Sequence, residues 1–294
     1  MSGPAPDRVQ AQAHAKVNLL LRILARESSG FHQIETAFQL LELADDLEVT
    51  RTAGGVTLDV HGTDLGPAED NLAVRAAQLV LDATGRKFGV AIALTKHIPV
   101  RAGLGGGSSD AAAVLHAVNA LAARTVPRHE LLHLGTRLGA DVAFFASGAA
   151  TALAWGRGER LFRLTAPPAA PALVAVPVVG VATPEAYRWW DEMHPEPSAR
   201  GPVVLDADAL GTWGSIGRLG GNDFEVPVFS RHPTLRDLFE QLAATGPLWV
   251  RLCGSGAAVA AIYRSARDRD DAAQALNAKL AQPIATTTRT TAAT

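Results

Sequence analysis

The pattern of apolar and polar positions changes period several times along the chain and predicts a mixed α/β protein. Apolar runs of strand length indicate β-strands, and apolar residues spaced three or four positions apart indicate amphipathic helices. Strands are predicted at residues 9–23, 90–94, 172–181, 248–252 and 259–263, with strand–turn–strand units at 47–60 and 147–163. Helices are predicted at residues 71–85, 108–123, 128–138, 183–193, 235–242 and 268–280. The Thr-rich end of the chain is either a last edge strand or a frayed tail.

Two turn-rich segments divide this pattern. Gly54 and Gly55 lie between two short apolar runs, and this spacing predicts a β-hairpin. The segment TAPPAAP at residues 165–171 is rich in Pro and Ala, which is typical of a boundary between domains. We therefore expect an N-terminal domain over residues 1–164 and a C-terminal domain over residues 165–294.

A glycine-rich loop joins the predicted strand at 90–94 to the helix that follows it. The loop sequence IPVRAGLGGGSSDAA contains four closely spaced glycines, Gly103, Gly105, Gly106 and Gly107. Glycines let backbone N–H groups approach a ligand, and a helix N-terminus adds unpaired N–H groups and a partial positive charge. This arrangement predicts a phosphate site; the alternative is a turn capped by Ser108. A P-loop is excluded because no Lys follows the last glycine, and the spacing differs from that of a dinucleotide fingerprint.

Composition and charge limit the class of protein. The chain has 294 residues, of which 48% are hydrophobic and 19% charged, as in a folded globular protein. Its formal net charge of −2 creates no field that would recruit nucleic acid, so no nucleic-acid partner is expected. The single Cys253 excludes a disulfide framework and a multi-cysteine metal site and favours the cytoplasm. No signal-like segment or membrane-length apolar run occurs, so neither secretion nor a membrane partner is expected.

Several polar residues have both a chemical and a structural interpretation. Lys16 and Asn18 lie inside an otherwise apolar strand, where they are either paired in a cleft or the polar face of an edge strand. His32 follows Phe31 in a turn, where the two side chains either read a planar ring or are ordinary surface residues. Asp141 stands between a glycine and an apolar segment, as a helix N-cap or as a carboxylate base at the floor of a cleft.

Three separated segments together resemble the GHMP small-molecule kinases. They are AHAKVNL with GFH, IPVRAGLGGGSSDAAA with GAD, and GSG near the end, and the resemblance extends from about residue 11 to about residue 263. It implies a two-domain α/β (α+β) fold, in which an N-terminal ribosomal-protein-S5-domain-2-like nucleotide domain precedes a ferredoxin-like C-terminal domain. It also implies ATP and Mg²⁺ as cofactors and a small molecule as the substrate.

The resemblance also implies roles for individual residues. Asp141 would accept the proton of the acceptor hydroxyl, while Lys16 would keep Asp141 ionised and offset charge on the phosphoryl group. The implied nucleotide contacts are Lys96, Pro99, Val100, Arg101, Ala102, Gly103, Leu104, Gly105, Gly106, Gly107, Ser108 and Ser109. The implied substrate contacts are Asn18, Phe31, His32, Thr183, Tyr187, Gly254, Ser255 and Gly256, with Phe31 and Tyr187 enclosing a cytosine and His32 bonding its edge. The candidate Mg²⁺ ligands are Ser108, Ser109 and the substrate phosphates, and no oligomeric state is assigned.

The GFH turn and the run GLGGGSSD narrow the resemblance to one branch of the family. That branch phosphorylates the 2-hydroxyl group of a cytidine-diphosphate-linked methylerythritol in the non-mevalonate isoprenoid pathway. The alternatives are a kinase for another small hydroxylated acceptor and a nucleotide-binding relative without catalysis. The chain departs from the family pattern at Phe31, where Tyr is usual, and in its looser GSG segment. It also departs at Arg101, where a small residue is common, so Arg101 either adds a phosphate contact or crowds the nucleotide.

Overall fold

Two β-sheets organise the chain in the computed structural model, which describes residues 6–195 and 206–291. The first sheet has the order β3-β4-β2-β5-β6, with β1 also paired to β2, and the second has the order β10-β7-β9-β8. The first contains β1 (Arg8–Arg26), β2 (His32–Thr52), β3 (Val56–His61), β4 (Gly89–Thr95), β5 (Thr151–Gly156) and β6 (Arg160–Leu164). The second contains β7 (Pro171–Pro177), β8 (Trp249–Leu252), β9 (Val259–Ile262) and β10 (Ala281–Thr287).

Helices pack against these sheets. They are α1 (Leu72–Ala83), α2 (Gly106–Leu121), α3 (Arg128–Leu138), α4 (Ala140–Ala146), α5 (Thr183–Met193), α6 (Trp213–Ile216), α7 (Glu225–Arg231), α8 (Pro233–Ala244) and α9 (Ala266–Ala275). Helices α1, α2, α3, α5, α8 and α9 lie where the apolar spacing predicts a helix, whereas α4, α6 and α7 were not predicted and α9 ends five residues before its predicted end at residue 280. Helix α1 shows why the pattern works. The side chain of Asn71 accepts a hydrogen bond from the Ala73 amide, which caps α1, and Val74, Val80 and Leu81 are buried on one face.

The predicted hairpin around Gly54 and Gly55 is wrong. Strands β2 and β3 do not pair, because β4 lies between them, antiparallel to β2 and parallel to β3. The glycines serve a close approach of backbones instead. A Cβ on Gly89 would lie 2.2 Å from the carbonyl carbon of Gly54, and the Val90 amide donates to the Gly55 carbonyl at 2.9 Å. The residues of a turn cannot reveal that β4, which follows α1, inserts between β2 and β3, two strands that are consecutive in the sequence.

The second sheet has the strand order of a ferredoxin-like fold. Its neighbouring strands are all antiparallel, and the strands and helices follow one another as a split β-α-β-β-α-β unit. The resemblance implied this arrangement, and the structure confirms it. The Thr-rich end forms the edge strand β10, which pairs with β7 along its length, so of the two predictions for this end the edge strand is confirmed.

Strand β1 joins the two sheets through a shared core. Its residues Ala15, Val17 and Leu19 are fully buried and pack in one cluster with residues of β7 and β9. The indole of Trp249, on β8, donates to the Leu19 carbonyl at 2.9 Å. Alternate residues of a strand face opposite sides, so Lys16 and Asn18, which lie between these apolar residues, face away from this core. The division of the chain at residue 165 stays a prediction.

A buried cluster of three charged side chains ties both ends of the glycine-rich loop to the first sheet. Lys96, directly after β4, donates to Asp45 on β2 and at 2.7 Å to Asp110 on α2. The second oxygen of Asp45 accepts from the amides of His97 and Ile98 at 2.6 and 2.8 Å. All three side chains are at most 5% exposed, and Oδ1 of Asp110 is buried without a partner among the described residues. Two carboxylates therefore share one ammonium group below the loop.

The variant Asp110→Asn tests whether this cluster binds a proton in the folded state. Burial, opposed by the charge of Lys96 and assisted by that of Asp45, raises the pKa of Asp110 from 3.8 to about 7. The folded protein therefore binds this proton more tightly than the unfolded chain does. The contribution of Asp110 to the free energy of unfolding should fall as pH rises from about 4 to about 7.

Asn cannot ionise, so the variant should lack this fall, and its stability relative to the wild type should increase with pH across the same window. Urea unfolding at several pH values measures the difference. Asp46→Asn is the matched control, because Asp46 adjoins Asp45 in the sequence but its side chain is 56% exposed. Parallel stability curves for wild type and Asp110→Asn would show that Asp110 carries no buried proton.

Candidate active site

The glycine-rich loop ends in the N-terminus of α2, two residues earlier than the sequence predicts. Gly105 is the N-cap residue, with φ 75°, and the helix begins at Gly106. The interpretation of Ser108 as the cap is therefore wrong, because Ser108 lies inside the first turn. A helix leaves its first N–H groups without intrahelical acceptors, so those of Gly106, Gly107 and Ser108 are available at the loop. The N-terminal partial charge of α2 adds to this anion site.

Two glycine turns from the two halves of the chain cross backbone to backbone. A Cβ on Gly103 would lie 1.8 Å from the carbonyl oxygen of Cys253, and Gly103 has φ 77°. The Ala258 amide also donates to the Ala102 carbonyl at 3.2 Å. No side chain fits at this crossing, so Gly103 is required by the close approach as well as by its conformation. The phosphate loop and the turn at residues 253–256 therefore hold each other in position.

Lys16 and Asp141 form an ion pair beside this crossing. Nζ of Lys16 lies 3.4 Å from Oδ2 of Asp141, and the Lys16 amide donates to the Leu104 carbonyl at 2.9 Å. The Lys16 side chain is 4% exposed, whereas the Asp141 side chain is 35% exposed. The interpretation of Lys16 as the polar face of an edge strand is wrong, because its ammonium is buried against a carboxylate. Asp141 remains accessible from the cleft.

Asp141 does not cap α4. Gly139 is the N-cap residue, and Asp141 stands in the first turn of the helix without a side-chain capping bond. This placement puts its carboxylate near the positive end of the helix dipole, which favours a negative charge there. Of the two interpretations of Asp141, the helix N-cap is therefore wrong, and its role as a base stays a prediction.

A chain of hydrogen bonds fixes the orientation of Asn18 next to Lys16. Oδ1 of Asn18 accepts from Nζ of Lys16 at 2.8 Å, and its Nδ2 donates to Oγ1 of Thr36 at 2.8 Å. Thr36 in turn donates to the Leu20 carbonyl at 2.7 Å. The β1–β2 register shifts on both sides of this segment, between His14 and Lys16 and again after Asn18. Such irregularities re-aim side chains near functional sites.

Asn222, which was not predicted as a site residue, shapes the turn opposite Lys16. Its buried Nδ2 donates to the carbonyls of Gly254 and Leu252 at 2.6 and 3.0 Å. Gly254 reaches the ion pair, because a Cβ on it would lie 3.4 Å from Nζ of Lys16 and 3.5 Å from Oδ1 of Asn18. The run GGND at residues 220–223 was a turn signal. It carried no information about a partner some 30 residues downstream.

The predicted ring-binding residues are brought together in part. The His32 ring stacks on Tyr187, with ring centroids 4.5 Å apart, and its Nε2 lies 2.7 Å from Oδ1 of Asp191. Burial, with Asp141 nearby, raises the pKa of Tyr187 to about 12. Tyr187 is therefore a neutral ring at the same cleft as the ion pair. Phe31 lies apart from this stack, with 57% of its surface exposed and the Arg157 guanidinium 4.1 Å from its ring centroid.

Thr183 and Ser255 join α5 to the second glycine turn. Their hydroxyl oxygens lie 2.9 Å apart. The N-cap residue of α5 is Ala182, and Thr183 is the first residue of the helix. The structure thus brings together two residues that are predicted to contact the substrate, and that contact stays a prediction.

A groove runs along the glycine-rich loop on the side of α1. It is lined by residues 98–108 together with Leu65, Asn71, Leu72, Lys96 and Asp110. Leu65, Asn71 and Leu72 were not predicted as site residues, since no motif marks them. Lys96 lines the groove while its ammonium is paired with two carboxylates; its role as a nucleotide contact stays a prediction.

Within residues 6–195 and 206–291, no group of three or more His, Cys, Asp or Glu side chains is arranged to hold a metal ion. None of the helices described there combines the length and the apolar character needed to cross a membrane.

Comparison with known proteins agrees with this geometry. Residues 71–149 match the family described as GHMP kinases N terminal domain, and residues 206–282 match GHMP kinases C terminal. The curated 4-diphosphocytidyl-2-C-methyl-D-erythritol kinase of Solibacter usitatus (strain Ellin6076) is 41% identical over 260 residues, which are 86% of this chain and 80% of that protein.

Solved structures show the same fold. The crystal structure of a 4-(cytidine 5'-diphospho)-2C-methyl-D-erythritol kinase is 38% identical, with a TM-score of 0.81 over 95% of this chain and 99% of that one. A homoserine kinase from Cytophaga hutchinsonii ATCC 33406 shares the fold at 20% identity, with a TM-score of 0.73 over 99% of this chain and 97% of its own. At the identity and coverage of the first two relatives, the chain belongs to the GHMP kinases and, within them, to the family of 4-diphosphocytidyl-2-C-methyl-D-erythritol kinases.

Proposed function

We propose that this chain transfers the γ-phosphoryl group of ATP to the 2-hydroxyl group of 4-diphosphocytidyl-2-C-methyl-D-erythritol. The observation that carries the proposal is the Lys16–Asp141 pair at 3.4 Å, placed beside a glycine-rich helix N-terminus. A binding protein would not need a buried ammonium group paired with an accessible carboxylate. The relatives of this chain carry the name of that kinase.

The residues of the loop fit a nucleotide triphosphate. Gly103 and Gly105 have φ of 77° and 75°, and the first turn of α2 offers N–H groups on the side of the groove. When bound there, ATP supplies the phosphoryl group, and Mg²⁺ would reduce the charge on its phosphates. Mg²⁺ usually keeps several waters and few protein ligands. The hydroxyl of Ser108, which lines the groove, would be one of its protein neighbours, whereas Ser109 is 3% exposed and does not line the groove.

Phosphoryl transfer asks little covalent chemistry of the protein, so positioning and charge do most of the work. The Asp141 carboxylate, accessible from the cleft, would accept the proton from the acceptor hydroxyl. Lys16 is held by Asn18 at 2.8 Å, so its ammonium is preorganised next to Asp141. It would keep that carboxylate ionised and oppose negative charge that develops on the transferred group.

Cytosine recognition is assigned to the His32 side of the cleft. In the neutral tautomer that donates Nε2–H to Asp191, Nδ1 of His32 would be an acceptor, which would suit the amino group of cytosine. The exposed ring of Phe31 would cover one face of the base, and Tyr187 the other. Mevalonate and homoserine have no such ring, so this side of the cleft favours the cytidylated acceptor over the alternatives.

The single thiol of Cys253, fully buried with a pKa raised by burial to about 12, suits a reducing cytoplasm.

A panel of acceptors tests the proposed function. ADP release should occur with Mg-ATP and 4-diphosphocytidyl-2-C-methyl-D-erythritol, and not with methylerythritol phosphate, mevalonate or homoserine. Turnover with one of the other acceptors instead would preserve the kinase chemistry and refute the substrate. ATP binding without turnover of any acceptor would favour the non-catalytic alternative.

Asp141→Asn should retain the binding of ADP and CDP but lose turnover by about 10²–10⁴-fold, because Asn cannot take the proton. Steady-state kinetics measures the loss, and calorimetric ADP binding shows that the site is intact. Asp59→Asn, an exposed carboxylate on β3, is the control that should keep normal turnover. If kcat of Asp141→Asn stayed near the wild-type value, Asp141 would not be the base.

Lys16→Ala should lower kcat by about 10²–10³-fold and change the ADP dissociation constant far less, because its charge acts mainly on the transition state. Comparison of kcat, KM for ATP and ADP affinity in wild type and variant separates the two effects. An unchanged kcat with a large loss of nucleotide affinity would place Lys16 in nucleotide binding and remove it from catalysis.

A further inference from the structure

Arg101 has a backbone conformation that its residue type disfavours. Its φ is 57°, in the left-handed region where a Cβ crowds the backbone. Over residues 6–195 and 206–291, the only other non-glycine residues with positive φ are Arg86, Ala123 and Arg124. Those three follow the C-termini of α1 and α2, where a left-handed residue commonly ends a helix. Arg101 lies in the loop before α2, so helix termination does not explain it.

Arg101 lies where the glycine-rich loop approaches the connection between β7 and α5. Arg101 is exposed and lines the groove along the glycine-rich loop. A Cβ on Gly180, in the connection between β7 and α5, would lie 3.8 Å from the Cβ of Arg101. Gly180 precedes Thr183, a predicted substrate contact, by three residues. The Arg101 backbone therefore lies where the loop predicted to bind the nucleotide meets the segment that leads to Thr183, a predicted contact of the acceptor.

The charges around the groove leave Arg101 as a cation without a carboxylate. Lys96, the other cationic side chain that lines the groove, is paired with Asp45 and Asp110. Lys16 in the neighbouring cleft is paired with Asp141. The Arg101 guanidinium makes no hydrogen bond or ion pair with any residue the structure describes. A ligand that carries several negative charges and enters the groove would be attracted by this unpaired guanidinium group.

We propose that Arg101 is an additional phosphate-binding residue of this chain, which contacts phosphate groups where the nucleotide and the acceptor meet. This proposal rests on the proposed function and adds to it a residue that determines affinity. A guanidinium group can bind phosphate oxygens in a bidentate manner, which an isolated backbone amide cannot do. The phosphates belong either to the nucleotide or to the diphosphate of the acceptor.

The variant Arg101→Gly removes the side chain and suits the left-handed backbone. Arg124→Gly is a matched control, because Arg124 has φ 56°, is exposed, and stands after α2, outside the groove. Neither variant should lower the melting temperature, since glycine accepts this conformation without strain. A loss of affinity confined to Arg101→Gly would then report the guanidinium and not the backbone.

Calorimetric binding of ADP and of CDP, each measured alone, identifies the source of the phosphates without relying on turnover. Arg101→Gly should weaken one of them by about tenfold, and Arg101→Lys, which keeps the charge, should restore part of the loss. Weaker ADP binding assigns Arg101 to the nucleotide, and weaker CDP binding assigns it to the acceptor. Arg124→Gly should bind both as the wild type does.

An Arg101→Gly protein that binds ADP and CDP within twofold of the wild type would overturn the proposal. This result differs from a failure of the proposed function. That failure would appear as a wild-type protein that binds nucleotide yet does not phosphorylate the cytidylated acceptor, whatever the effect of Arg101 on ADP or CDP binding.

Discussion

The site depends on the contact between two backbone segments that have no side chains between them. Gly103 meets the Cys253 carbonyl so closely that an added Cβ would lie 1.8 Å from its oxygen. This contact joins the phosphate loop of the N-terminal half to a turn of the C-terminal half. Asn222 holds the carbonyls of that turn from below. The distance between the nucleotide loop and the residues expected to contact the acceptor is thus set by backbone, which is less variable than flexible side chains.

Charge in and around the cleft is arranged in pairs with different degrees of burial. The cluster of Lys96 with two aspartates lies below the loop and is almost inaccessible. It joins β2 and the end of β4 to the start of α2. The pair of Lys16 and Asp141 has one buried and one accessible member. That asymmetry is what a base needs, since the carboxylate must reach a substrate while its cation stays fixed. Buried ion pairs are weak sources of stability, so their positions are better explained by the site than by folding.

Strand β1 connects the core to the chemistry through its alternation. Ala15, Val17 and Leu19 enter the core shared by the two sheets, and Lys16 and Asn18 point to the cleft from the positions between them. From the sequence alone, the burial of Lys16 and Asn18 at every second position of an apolar strand would cost free energy. In the fold both side chains lie next to partners that satisfy them. The register shifts near these residues adjust their direction without interrupting the strand.

The sequence by itself determined the local elements and the loop. Helical spacing predicted α3 and α5 at their observed residues. The glycine cluster predicted an anion site. Both signals act between residues that are close in the chain. With the family resemblance the sequence also indicated Lys16 and Asp141 as partners. Only the tertiary structure decided that β4 inserts between β2 and β3, that Ser108 does not cap α2, and that Asn222 supports the site. Those outcomes depend on contacts between distant segments, whose geometry is set when the two sheets pack, and no local pattern of residues records it.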